Sequence, residues 1–510
     1  MERCARPDYL NSSGTSNGVV VGRGGSPAFY PRGVTDATSY DELPYEDYCF
    51  PRTHPEHLFA VSALYGRLAP RFEAARVLEL GCARGGNLLP MALDLPGATF
   101  VGVDLSARQI DEAARRAATL GLRNVTFRHA SITDLDAGDG DFDYVICHGV
   151  YSWVPAPVRE AILRVCRARM RPGGVAYVSF NALPGWHLLQ TLRDFLLRHI
   201  PVEAPALRRL VLARQALAVL AEASGNERTP YARWLRDELA NIAAADDGYV
   251  FHEYLEADNV AVYLADFVAA AKGHGLAWLG DADLRLAGAS PRLRAGDPVA
   301  LAQSVDFVAG RRFRAALLVH AETAAAGVEV AAVARLWLAS RAEVTEEAGV
   351  FVVDGRRVEL REPWLARALT VLAERERRPV AYGALSGQVG AALGLDARAS
   401  ALAGAAHAAD VVDLCLDGVI EPRAGEGRYA EEAGLRPVAS PLARMQAAEG
   451  ALVATLRQVR VELPEFEREV LRLLDGTRDR AALAAALGDA GRCEEALEWL
   501  AENALLMGER

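Results

Sequence analysis

Lysine is almost absent from this 510-residue sequence: among 56 basic residues only Lys272 is a lysine, and the rest are arginine. A GC-rich coding sequence is the simplest account of that bias. Positive charge is also in deficit, with 67 acids against 56 bases and a net charge of −11. Such a surface repels nucleic acid unless one face gathers the arginines, and no such cluster stands out, so small molecules or basic protein segments suit it better. There is no apolar run of about 18 residues to span a bilayer, and the N-terminus lacks the apolar stretch a signal peptide needs. No membrane is expected as partner, and a cytoplasmic location is expected. The seven cysteines include no C-x-x-C pair and no metal-ligand spacing with the ten histidines. They read as reduced, buried thiols, with no metal site.

What is present begins at Val77. The stretch VLELGCARGGN joins an apolar strand ending in an acid to a glycine-rich turn that opens a helix. Gly81, Gly85 and Gly86 let bare backbone approach a nucleotide-like ligand, and Glu79 adds an acceptor at the strand end. A second β-branched run, Ala98 to Ser106, ends in Asp104, the position from which a carboxylate in a βαβ unit reaches the hydroxyls of a ribose. Gly81, Ala83 and Gly86 also satisfy the G-x-G/A-x-x-G spacing of dinucleotide-binding folds, so this motif alone leaves the ligand open.

Strand-like segments near Arg76–Leu80, Phe100–Asp104, Val125–His129, Tyr144–Cys147 and Val175–Phe180 alternate with helical stretches such as Ala107–Leu120 and Val158–Met170. That alternation predicts a parallel sheet wrapped by helices, with its ligand beyond the carboxyl ends of the strands. The length implies two to four domains. Residues 1–38, rich in Gly, Ser, Pro and Asn, read as a disordered leader, and 39–200 as the α/β core. Helical periodicity dominates 201–325, where Tyr249–Glu256 and Gly275–Asp283 read as short strands. Either these two strands join the edge of the core sheet, making Leu188–Ala245 an inserted bundle, or the whole region is a separate module. Residues 326–436, with a hairpin turning at Asp354-Gly355, read as a winged-helix-like α+β unit, and 437–510 as a small helical module.

Five pieces in order, ELGCARGG, VGVDLS, HASITDLD, FDYVICHGVYSWV and MRPGGVAYVSFN, resemble the class I S-adenosylmethionine (SAM)-dependent methyltransferases, with their Rossmann-like α/β domain. That resemblance implies SAM as cofactor. It places Glu79, Gly81, Cys82, Ala83, Gly85 and Asn87 around the methionine end, and Asp104 and Leu105 at the ribose. Ser131 and Ile132 fall at the adenine, and His148 and Gly149 on the pocket floor. YDELPY with FPRTHPEHL, NALPGWH, HEYLE, RRFRAALLVH and LLDGTRDRAAL further resemble bacterial methyltransferases with a regulatory domain, a group that includes lysine methyltransferases of outer-membrane proteins. The family's Y-N-T-Y-P-G-W is FNALPGWH here, which puts an aromatic wall near Ala182 and Leu183 in doubt. For an amine methylator, scarce lysine would also limit self-modification.

Methyl transfer from a sulfonium needs orientation more than a protein nucleophile, and alignment can contribute about 7 to 11 kcal/mol. An amine acceptor must first lose a proton, against an ordinary lysine pKa of about 10.4. Tyr45 is the first candidate for a lid over SAM and Tyr40, on the substrate side, the second; both could equally pack against the sheet. Asn181 and His148 are candidates to guide the acceptor proton. Tyr151, Trp153 and Trp186 are candidates to line the acceptor pocket, with core packing as the plain alternative. His54 reads as a helix-start residue, and His252 and Glu253 as structural. The expected function is N-methylation of lysine side chains in a protein or peptide. A small metabolite or peptide natural product is the alternative acceptor, and a non-catalytic SAM-sensing or DNA-binding regulator is a third class that the charge disfavours. A second copy of the chain stays open as a partner.

Overall fold

A computed structural model describes residues 43, 48–135, 142–286, 296–324, 327–375 and 378–508. The expected leader, Tyr40 and Tyr45 lie outside the described residues. The central element is a seven-stranded sheet built from Arg76–Leu80 (β1), Thr99–Asp104 (β2), Val125–His129 (β3), Phe142–Cys147 (β4), Met170–Asn181 (β5), Leu276–Asp281 (β6) and Phe313–His320 (β7). Their order is β3-β2-β1-β4-β5-β7-β6. The first five run parallel, and β7 is antiparallel to both β5 and β6. Chain order reverses between β1 and β4, so their carboxyl ends flank the crevice where such sheets bind ligands.

Strand alternation explains the two cores. Val77, Phe100, Tyr144, Ile146, Tyr177 and Leu317 face one apolar cluster, while Leu78, Leu80, Val103, Val145, Cys147 and Val178 face the other. Helices Ala156–Arg169 and Leu264–Gly273 cover the second face through Ile162, Cys166 and Phe267. Helix Pro55–Leu64 covers the first, in an apolar cluster continuous with Val333, Leu338, Phe351 and Trp364 of the following unit.

Helices Trp186–His199, Ala206–Ser224, Pro230–Ala244 and Asp247–Leu255 are inserted between β5 and β6 and share their own core of Leu196, Leu210, Leu239, Phe251 and Tyr254. The inserted-bundle topology is therefore the observed one, with a correction. Tyr249–Leu255 is helical, with Glu256 as its extended C-cap, because the Asp246 side chain caps the Tyr249 N–H at 2.8 Å and Val250, Phe251, Tyr254 and Leu255 form a buried helical stripe. Its expected place on the sheet is taken by β7. At that edge Arg314 is fully buried, bonded twice to Asp306 at 2.9 Å and to Asp281, which ties β7 to helix Pro298–Ala309 and to β6.

Beyond the sheet, Val350–Val353 and Arg356–Glu359 form the expected hairpin, with left-handed φ of +47° at Asp354 and +74° at Gly355. Helices Pro363–Glu374, Tyr382–Ala392, Ala397–Ala406 and Ala408–Leu416 complete this unit. The last unit is not purely helical. Strands Leu452–Ala454 and Arg460–Glu462 pair between helices Pro441–Glu449 and Glu465–Leu473. Among the described residues no single helix is long and apolar enough to cross a membrane, and the described cysteines are free and buried.

Candidate active site

The turn after β1 is held by backbone conformation. Gly81 and Gly85 have φ of +75° and +76°, and Ala83 between them has φ +46°. The left-handed region costs a residue with Cβ about 1–2 kcal/mol, and the Ala83 N–H compensates by donating to Asp104 Oδ2 at 2.9 Å. Asp104 Oδ1 accepts from the Ser106 N–H at 2.9 Å, so the carboxylate closing β2 is fixed against the turn after β1. A Cβ on Gly81 would lie 2.4 Å from Val150 Cγ2, which shows how closely the turn after β4 abuts it. Glu79, Gly81, Ala83, Gly85, Asp104, His148 and Gly149 are thus gathered at the carboxyl edge of the sheet. Leu105 is exposed there, beside the β3 end that leads to Ser131 and Ile132.

Glu79 is buried, and burial pushes its carboxyl up to about 7, opposed by a 2.7 Å hydrogen bond from Asn87 Nδ2. Its second oxygen, Oε2, is buried with no protein donor. An acceptor left open at the end of β1 fits a cationic or N–H-bearing part of a ligand. Asn87 is turned away from that role: besides Glu79 it binds Thr53 Oγ1 at 3.0 Å and accepts from the Phe50 N–H at 2.9 Å. It anchors the segment before helix Pro55–Leu64 across the crevice.

That segment brings Phe50 onto His148, with ring centroids 3.7 Å apart. Phe313 meets the same imidazole edge-on at 5.9 Å, and Tyr177 Oη lies 2.9 Å from its Nδ1. Enclosure by these rings pushes His148 down to about 3, so the imidazole is neutral at ordinary pH and unsuited to holding a proton as a cation. Ser179 Oγ accepts from the Gly149 N–H and Ser152 Oγ from the Asn181 N–H, each at 2.8 Å, locking the turn after β4 to β5.

Several expected side chains do other work. The Cys82 thiol packs in the core, leaving only backbone for the crevice. Tyr151 is buried between Phe180 and Phe267 and is core, not acceptor pocket. Trp186 is buried at the start of the inserted bundle, whereas Trp153 is half-buried. Asn181 is buried and its amide donates to Asn259 Oδ1 at 3.1 Å. His54 caps helix Pro55–Leu64 through the Glu56 N–H, as expected of a helix-start residue. Phe50, Thr53, Tyr177, Ser179 and Asn259 were not foreseen. FPRTHPEHL marked the neighbourhood of the first two, but their partners lie up to 98 positions away.

The family profile described as "Methyltransferase domain" matches residues 77–174, "Predicted methyltransferase regulatory domain" matches 246–320, and "PKMT, C-terminal winged helix domain" matches 436–505. An uncharacterized protein of Rickettsia prowazekii is 37% identical over 238 residues, 47% of this chain and 95% of that protein. The chain belongs to the SAM-dependent methyltransferases with a regulatory domain. A longer uncharacterized protein of the same organism is 42% identical over 295 residues, 56% of this methyltransferase but only 53% of its relative. The solved structure of PKMT2 from Rickettsia typhi superposes with a TM-score of 0.80 at 27% identity, covering 91% of this chain and all of that one, and the same protein in complex with AdoHcy gives 0.79 with the same coverage. The methyl donor is SAM, and the orphaned Glu79 oxygen and bare turn after β1 fit it. The winged-helix profile falls on the last unit, which the sequence reading took as a helical module, and not on 326–436.

Proposed function

We propose that this methyltransferase transfers methyl groups to lysine side chains of a protein substrate. The observation that carries the proposal is the match to PKMT2 over 91% of the chain, extending through a winged-helix unit described for PKMT proteins. Bound SAM supplies a methyl group activated by a sulfonium, so the chain's own residues orient, enclose and deprotonate. Glu79 Oε2 would receive the methionine amino group and Asp104 the ribose hydroxyls, and Leu105, Ser131 and Ile132 would border the adenine. Gly81, Ala83 and Gly85 offer backbone. Neutral His148, with Phe50 and Phe313 packed against it, forms an apolar aromatic wall that excludes water and tolerates a passing cation. The net charge of −11 favours a basic substrate segment. Incubation of the full chain with labelled SAM and a bacterial lysate, followed by mass mapping, is expected to find methyl-lysine in protein. Label confined to a small metabolite or a non-lysine acceptor would overturn the proposal in favour of the alternative.

A further inference from the structure

Between strands Leu452–Ala454 and Arg460–Glu462 the chain turns over residues 455–459, and that turn is held by its own backbone. The Thr455 N–H donates to the Val459 carbonyl at 2.9 Å, the Gln458 N–H to the Thr455 carbonyl at 3.0 Å, and the Leu456 N–H to the Ala504 carbonyl at 2.9 Å. Gln458 has a left-handed φ of +59°, a conformation that glycine or asparagine takes at less cost. It is 3% exposed, yet neither Oε1 nor Nε2 of its side chain meets a hydrogen-bond partner among the described residues. A fixed turn thus keeps a buried carboxamide unpaired on strained backbone. Both features are costly to a fold, and both gather where a ligand completes a site.

Gln458 lines a recess of about 20 Å³ together with Pro51, His54, Asp94 and Arg423. Two more donors stand open there. His54 Nδ1 accepts from the Glu56 N–H, so its Nε2 bears the hydrogen, and this atom lies 3.3 Å from Asp94 Oδ2 but out of line for a hydrogen bond. Arg423 Nε is likewise buried without a partner, its guanidinium being held through Nη2 by Glu56 Oε2 at 3.2 Å. The recess adjoins a cavity of about 580 Å³, with which it shares Asp94, Gly427, Arg428, Tyr429 and Leu456. It therefore admits only the edge of a ligand whose body lies in the cavity. Pro96, Pro379, Pro441 and Met507 give the cavity apolar walls. Each arginine of its wall already has a partner: Arg375 and Arg378 meet Glu431 at 3.7 and 3.0 Å, and Arg428 donates to the Asp94 carbonyl at 2.5 Å.

The open groups are donors on His54, Arg423 and Gln458 Nε2, and an acceptor at Gln458 Oε1. A carboxylate or phosphate, which only accepts, would leave Oε1 unpaired. A residue of an extended peptide carries its N–H and C=O on one side, the arrangement through which paired strands exchange two hydrogen bonds, and it meets both ends of a carboxamide at once. We propose that the recess and its cavity bind an extended, uncharged stretch of the polypeptide substrate, read through its backbone by Gln458. The inference rests on the protein-substrate reading and deepens it: the chain that delivers the lysine is held a second time, away from the reacting atoms. Pro51 and His54 line the recess while Phe50, in the same segment, packs on His148. The second contact therefore adjoins the segment that covers the crevice.

Fluorescence anisotropy with labelled, reduced and alkylated lysozyme, an unfolded polypeptide, and the AdoHcy-loaded full chain is the first test. Gln458→Ala and Gln458→Glu are expected to weaken this binding roughly tenfold or more with AdoHcy affinity unchanged. Equal binding by all three proteins, or none by the wild type, overturns the proposal and leaves the recess to water. The edge of adenine makes a similar match to a carboxamide, so displacement of the polypeptide by adenosine would overturn it in favour of a nucleoside. Gln458→Gly, which relieves the left-handed backbone, is expected to melt no lower than wild type without polypeptide; a lower melting temperature would make the side chain a packing group. In methyl transfer to the unfolded lysozyme the Ala and Glu variants are expected to raise KM with kcat unchanged, while N-acetyl-lysine methylamide, too short to reach the recess, is methylated as by wild type. Equal losses on both acceptors count against it. Should no protein lysine be methylated, the functional reading fails on its own, and the anisotropy still decides the role of Gln458.

Discussion

Glu79 carries the largest single compromise in the cradle. Its folded pKa of about 7 lies above the ordinary glutamate value of about 4.3, so folding favours the protonated form. The stability tied to that proton is complete below about pH 4.3 and is lost as pH rises through about 7, a ceiling of about 4 kcal/mol. Glu79→Gln is therefore expected to make the ligand-free protein more stable than wild type at pH 8, by thermal or urea melts, while weakening AdoHcy; equal stability at pH 8 would remove the burial argument. Gly81→Ala puts a Cβ 2.4 Å from Val150 at φ +75° and is expected to reduce AdoHcy affinity at least tenfold in calorimetry. His148, held near 3 by its aromatic enclosure, should add no inflection around pH 6.5 to the rate profile, and such an inflection lost in His148→Phe would refute its neutrality. At this scale the sequence exposed Glu79, Gly81, Ala83 and Asp104 because each lies within one contiguous turn or at a strand end. Phe50, Thr53 and Tyr177 became visible only in the fold, since long-range packing brings them to His148 and Asn87, and the same packing removed Tyr151 to the core.

Among elements, helix Asp247–Leu255 depends on one residue used twice. Asp246 caps its first turn and holds Tyr48, so Asp246→Ala should cost about 1–2 kcal/mol and speed hydrogen exchange both in the helix and around Tyr48. Faster exchange in the helix alone would mean the Tyr48 bond is idle. Tyr249–Glu256 misled as a strand because it is short and crowded with aromatics and Val, and periodicity over eight residues separates strand from helix poorly when the cap is overlooked. β7 was passed over for a related reason. Its first half, Phe313–Ala316, mixes arginine with alanine, and Arg314 belongs in a strand interior only because Asp281 and Asp306 surround it. Replacing Arg314 with Met strands two buried carboxylates and is expected to cost about 3–5 kcal/mol, measurable by denaturant melts. A loss below about 1 kcal/mol would show that the ion cluster does not hold the sheet edge.

For the molecule as a whole, the last unit bears on the crevice through the segment that covers it. Leu442 and Ala454 pack with Cys49 and Leu89, Glu449 pairs with Arg116 at 3.1 Å, and the Arg460 guanidinium lies 4.4 Å from the Tyr48 ring centroid. The sheet strands themselves were legible as far as β5, where alternation of strand and helix is local, whereas their spatial order came only from the fold. The role of the last unit was not, because composition does not reveal which distant surface a small domain leans on. The central claim is that SAM lies on the turn after β1 with its ribose on Asp104. Calorimetric titration of AdoHcy into wild type and Asp104→Ala, each checked by a melting curve, tests this most directly. The account predicts at least a hundredfold loss of affinity in a variant that remains folded, and unchanged affinity would contradict it.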